Sequence, residues 1–136
     1  MLPPILVAED TPFDLEFTLF ALAKCDIPNP IVVVRDGQAA LDYLYRQNQY
    51  ATRTPGNPGV ILLDIKMPKV DGLEVLKAVR TTPQFSSVPV VLLTHSEQIA
   101  DIHRARLLGI DRYIVKPIEL DQLTTDICKA VSDALP

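Results

Sequence analysis

Short apolar runs recur along the chain, and four of them end on a polar residue suited to phosphate or metal chemistry. Ile5-Leu6-Val7-Ala8 leads into Glu9-Asp10, and Val60-Ile61-Leu62-Leu63 into Asp64. Val90-Val91-Leu92-Leu93 leads into Thr94, and Tyr113-Ile114-Val115 into Lys116-Pro117. Runs this short and this rich in Val and Ile read as parallel strands buried on both faces. Strands are expected over about 5–9, 31–34, 60–64, 88–94 and 112–115.

Helical spacing fills the gaps between them. Thr11-Pro12 pairs a capping residue with a proline at the first helical position, so a helix should run to about Cys25. Asp36 can cap a second helix carrying Ala40, Leu41, Leu44 and Tyr45. A third helix is expected over about 73–80, entered through Asp71-Gly72, and a fourth over about 97–108, stopped by Gly109. A fifth begins near Glu119 and runs to about Ala134, with Leu120, Leu123, Ile127 and Val131 on one stripe. The polar stretch from about Gln47 to Gly59 is loop chemistry, long enough to be functional or simply a tolerated insertion. Five alternations of strand and helix predict an α/β three-layer sandwich around a parallel sheet.

Composition narrows the class. The chain has 136 residues, which suits one domain spanning 1–136 with no separate output domain. Hydrophobic residues make up 48% and charged residues 22%, an ordinary globular balance. The net charge is −4 and there is no basic tract, which argues against nucleic-acid binding. No stretch is long and apolar enough to span a bilayer, and Met1-Leu2-Pro3-Pro4 lacks the cationic flank of a signal peptide. A cytoplasmic protein is expected. In that compartment Cys25 and Cys128, without a CxxC spacing, read as two partly buried thiols.

In an open parallel sheet, ligands bind beyond the carboxyl ends of the strands. Glu9, Asp10 and Asp64 gathered there would repel one another without a hard cation, and Mg²⁺ suits such oxygen ligands. Lys116 supplies a point charge and Thr94 a hydroxyl for a phosphoryl oxygen. One carboxylate can then act as nucleophile and form an acyl phosphate. Each residue alone has an ordinary reading as a cap or a solvated group; the joint pattern at four strand ends carries the weight.

These pieces, together with Ile65-Lys66-Met67-Pro68 after Asp64, resemble the response-regulator receiver family, the CheY-like phosphoacceptor domains of two-component signalling. The resemblance covers essentially the whole chain. It implies a flavodoxin-like (βα)5 fold with sheet order 2-1-3-4-5, and a stand-alone regulator phosphorylated on Asp64 by a sensor histidine kinase. It further implies Mg²⁺ at Glu9, Asp10, Asp64 and the backbone carbonyl of Lys66. Lys116 would pair with the phosphoryl group, and Thr94 with Tyr113 would form the switch. The peptide bond before Pro117 would be cis. Phosphorylation would remodel the face made by helix four, strand five and helix five, for binding a partner, dimerising, or relaying phosphate to a histidine phosphotransfer protein. The segment after helix two is also similar to single-domain regulators that partner bacterial phytochromes.

Lys66, His95 and Ser96 stand at the pocket rim and are expected to tune the lifetime of the phosphoryl group. Helix one carries two neighbouring apolar stripes, Phe13, Phe17 and Phe20 beside Leu15, Leu19 and Leu22. Whatever part of that face stays exposed is a candidate kinase-docking patch. Two other classes fit less well. A haloacid-dehalogenase-type phosphohydrolase would place an Asp two residues after its nucleophile, where this chain has Lys66. A flavodoxin-like cofactor carrier would not place Asp10 and Asp14 in its phosphate turn, and no GxxxxGK loop exists for a nucleotide.

Overall fold

Strands β1 (Ile5–Ala8), β2 (Ile31–Val34), β3 (Val60–Leu63), β4 (Val90–Thr94) and β5 (Arg112–Val115) form one sheet. All pairs are parallel and the order is β2-β1-β3-β4-β5. This is a computed structural model, and it describes residues 2–117 and 119–135. The helices are α1 (Pro12–Ala23), α2 (Gly37–Tyr45), α3 (Gly72–Thr81), α4 (Ile99–Leu108) and α5 (Leu120–Ala134).

The period-two geometry of a strand sorts the core into two halves. Leu6, Ala8, Ile61, Leu63, Val90 and Leu92 face α2, α3 and α4. Ile5, Val7, Val60, Leu62, Val91 and Leu93 face α1 and α5. Both halves are built from buried apolar residues, in keeping with central runs that carry no polar residue before Thr94 at the end of β4. The expected fold class is therefore observed, with every strand emptying its carboxyl end toward the same edge.

Local chemistry sets the boundaries. Asp36 accepts from Ala39 N at 2.7 Å and caps α2 as expected, and Asp71, at the expected entry to α3, accepts from Glu74 N at 2.9 Å and caps that helix. Gly109 ends α4 at φ +89°, a left-handed conformation that favours glycine. Thr11 precedes α1 but its hydroxyl does not cap; Glu9 Oε2 accepts the Thr11 N–H at 3.3 Å instead. Helix α4 starts two residues later than expected, and the turn ahead of it has Gln98 N donating to Ser96 Oγ at 3.4 Å.

The segment between α2 and β3 is tied down. It forms a 3-10 turn at Asn48–Tyr50, and Tyr50 packs edge-on against Tyr43. Arg53 lies 4.1 Å over the Tyr43 ring and donates to the carbonyls of Tyr43, Thr54 and Gly56.

The two cysteines correct the expectation of free thiols. Cys25 and Cys128 form a disulfide, with Cα atoms 5.2 Å apart across a separation of 103 residues. Helices α1 and α5 pack side by side on one face of the sheet, which brings Cys25, just past the end of α1, against α5. Compartment reasoning could not see that adjacency.

Helix α1 also divides its apolar surface differently from its two stripes. Thr18, Ala21 and Leu22 are its buried residues. Phe13 and Phe20 remain 63% and 51% exposed, and Phe13 stacks on Phe17 at 4.7 Å between centroids. Among the described residues no helix is long and apolar enough to cross a membrane.

Candidate functional site

The carboxyl ends of β1, β3, β4 and β5 converge on one cleft, and each contributes the residue that ends its apolar run. Glu9 and Asp10 follow β1, Asp64 follows β3, Thr94 closes β4 and Lys116 follows β5. A cavity of about 460 Å³ opens above them, lined by Asp10, Asp64, Lys66, Thr94, His95 and Ser96 among others.

Lys116 organises the floor. Its side chain is only 5% exposed, and its Nζ hydrogen-bonds Glu9 Oε1. It also reaches Asp14 Oδ2 at 3.3 Å and Asp64 Oδ2 at 3.5 Å. Its backbone N–H donates to Thr94 O at 2.7 Å, which fixes β5 against the end of β4. Burial alone would lower the pKa of this ammonium, but Asp64, Glu9 and Asp14 together raise it above its usual value.

The acidic groups carry the opposite stress. Burial is the main cause that pushes the Glu9 carboxyl up to about 7; Lys116 pulls it down and Asp64 adds to the rise. Asp64 Oδ1 accepts from Ile65 N at 2.7 Å, which fixes the carboxylate plane, while Oδ2 faces Lys116. Glu9, Asp10 and Asp64 each offer an oxygen within 4.8 Å of the others. A proton-hungry buried carboxyl beside two further carboxylates fits a divalent cation, which would take the place of the missing positive charge.

Thr94 is buried, and its Oγ1 accepts the Ser96 N–H at 3.3 Å. Tyr113 donates its hydroxyl to Ser96 O at 2.9 Å, so the ring is tethered to the β4–α4 loop. Burial raises the Tyr113 pKa above its ordinary value. Among the rim residues, Lys66 projects into solvent at the mouth of the cavity. Ser96 has its Oγ engaged by Asp101, donating to Oδ2 at 2.6 Å. His95 is 68% exposed and its Nε2 contacts Asp14 Oδ2 at 3.0 Å.

Two outcomes differ from expectation. No peptide bond among the described residues is cis, that before Pro117 included. The trans isomer is the cheaper one for an X–Pro bond by about 0.5–1 kcal/mol, and the site assembles with it. Asp14 joins the cluster although it ends no apolar run and was not among the expected site residues. Its one available signal is position: one turn into α1, it points back toward the strand ends.

The family described as "Response regulator receiver domain" matches residues 5–128. Response regulator Rcp1 of Synechocystis sp. is 34% identical over 123 residues, covering 89% of this chain and 82% of that protein. Among solved structures, the bacteriophytochrome response regulator RtBRR is 49% identical with a TM-score of 0.85, covering 96% of this chain and 78% of that one. The phosphorylated cyanobacterial phytochrome response regulator RcpA is 35% identical with a TM-score of 0.86, covering 98% and 93%. The Mn²⁺-bound form of response regulator Rcp1 is 32% identical with a TM-score of 0.88, covering 98% and 94%.

Proposed function

The chain belongs to the response-regulator receiver family, and from that premise we propose that Asp64 is its phosphoacceptor, charged by a sensor histidine kinase with the help of a divalent cation. The observation that carries this is the seating of Asp64: buried at the end of a central strand, one oxygen fixed by Ile65 N and the other 3.5 Å from the Lys116 ammonium. In the transfer, an Asp64 oxygen forms the new P–O bond as the P–N bond of a phosphohistidine breaks, and the imidazole leaves. Lys116 offsets charge on the phosphoryl oxygens and Thr94 donates a hydrogen bond to one of them. Mg²⁺ held by Glu9, Asp10, Asp64 and the Lys66 carbonyl would offset the rest; a relative with Mn²⁺ bound supports a divalent ion there.

Thr94 and Tyr113 form the switch in this reading. Both are bonded to Ser96 in the β4–α4 loop, so drawing the Thr94 hydroxyl toward a phosphoryl group disturbs the tether that holds Tyr113. The output surface is the α4–β5–α5 face, where Ile99 and Leu107 stand exposed for a downstream protein or a second copy. The kinase partner is of the phytochrome class, as the likeness to the phytochrome response regulators RtBRR and RcpA suggests. Phe13, Phe17 and Leu123 border a groove of about 190 Å³ beside Lys116, the docking patch for that kinase or for a histidine phosphotransfer protein. Its match to most of the length of Rcp1 fits a response regulator built on a receiver domain.

Incubation with acetyl phosphate and Mg²⁺, followed by intact mass measurement, tests the core of this. A labile gain of one phosphoryl group is expected, absent in Asp64→Asn and absent with chelator. Continuous multi-turnover hydrolysis of varied phosphomonoesters would instead indicate a phosphohydrolase.

A further inference from the structure

Asp14 accepts from two cations or donors at a single atom. Lys116 Nζ lies 3.3 Å from its Oδ2, and His95 Nε2 lies 3.0 Å from the same oxygen. A carboxylate is an acceptor only, so the imidazole nitrogen must be the donor. The Asp14 side chain is 16% exposed, between a nearly buried lysine and an open histidine. The carboxylate thus bridges three elements: α1, which carries it; the end of β5, through Lys116; and the β4–α4 loop, through His95.

Resting on Asp64 as the phosphoacceptor, we propose that Asp14 is a positioning residue of this site, which holds Lys116 and latches the β4–α4 loop to α1 until a phosphoryl group draws both away. Two consequences follow from charge and geometry. Asp14 competes with the phosphoryl oxygens for the Lys116 ammonium and adds a negative charge beside the incoming group, so it slows acceptance. His95 shares Oδ2 with Lys116, so it weakens that competing hold and at the same time anchors the loop that follows Thr94. The influence of His95 therefore passes through Asp14. An imidazole that acted only by blocking the cavity mouth would act whether or not Asp14 were present.

A double-mutant cycle on the full chain separates these. Asp14→Asn should raise the initial rate of Asp64 labelling by acetyl phosphate roughly fivefold, in keeping with removal of one partly buried charge contact. Asp14→Glu keeps the charge and should return most of the wild-type rate. His95→Ala should alter the rate in the wild-type background and have no effect in the Asp14→Asn background. The ¹⁵N resonance of His95 Nε2 should shift in Asp14→Asn, and again on phosphorylation of the wild type. Thermal melts confirm that each variant is folded, and Asp64→Asn serves as the unlabelled control. Labelling of Asp14→Asn at the wild-type rate, or an equal effect of His95→Ala in both backgrounds, overturns the latch while leaving Asp64 as the acceptor. Labelling that persists in Asp64→Asn overturns the acceptor and the latch with it.

Discussion

At the scale of single residues, the most informative group is Glu9, because folding changes its proton affinity. Its carboxyl moves from an ordinary 4.5 to about 7, driven first by burial. A carboxyl whose pKa is raised on folding favours the folded state while protonated. Its contribution is complete below about pH 4.5 and is lost as the pH rises through about 7. The metal-free protein should therefore lose stability between those values, and Glu9→Gln should flatten that part of the profile in thermal melts. A divalent cation competes with the proton, so the Tm gain from added Mg²⁺ should be larger near pH 8 than near pH 5. Equal gains at both would mean that Glu9 is no part of the cation site. The sequence made Glu9, Asp64, Thr94 and Lys116 legible because each ends an apolar run, and a run that ends fixes where its last residue points. Asp14 had no such marker. Its link to Lys116 spans 102 positions and depends on how α1 is set against β5.

At the scale of elements, the turn from β3 into α3 shows how tightly the acceptor is held. Gly72 N donates to Ile65 O at 2.7 Å, folding the start of α3 back over the phosphoacceptor strand. A methyl group on Gly72 would meet Asp64 O at 2.0 Å, against backbone that cannot rotate away. Gly72→Ala should cost about 1–3 kcal/mol in urea unfolding, as overpacking does. It should also slow Asp64 labelling, since the clash is with the acceptor's own carbonyl. A variant of normal stability and rate would show that this turn relaxes freely. The strands, the Asp36 cap and the Gly109 stop were legible from residue type, whereas the Thr11 hydroxyl does not cap α1 although its residue type favours it. The segment after α2 was not legible. Its turn and proline residues read as loop chemistry, functional or simply tolerated, whereas Arg53 binds three backbone carbonyls and covers Tyr43. An arginine used in this way looks like any surface arginine until its partners are known.

At the scale of the whole molecule, the parallel sheet was legible because β-rich runs alternating with helical spacing have few solutions, and right-handed crossovers prune them further. Non-local covalent pairing was beyond reach for the same reason Asp14 was: no local signal marks it. The Cys25–Cys128 bond closes a loop of 103 residues between α1 and α5, the two helices that cover one face of the sheet. In the chain-entropy account such a long loop gives a large restraint on the unfolded state, within the usual range of about 2–5 kcal/mol. Cys25→Ser/Cys128→Ser should therefore lower Tm by roughly 5–15 °C, and a dithiol reductant should do the same to the wild type. Intact mass of the unreduced wild type should be two hydrogens below that of the reduced form. Asp64 sits at the carboxyl ends of the strands, whereas Cys25 follows the far end of α1, so labelling of the folded double variant should stay within about twofold of wild type. Unchanged Tm under reduction would mean that α1 and α5 need no covalent tie. A large loss of labelling at unchanged fold would instead show that the phosphoacceptor end feels the staple through α1, the helix that also carries Asp14.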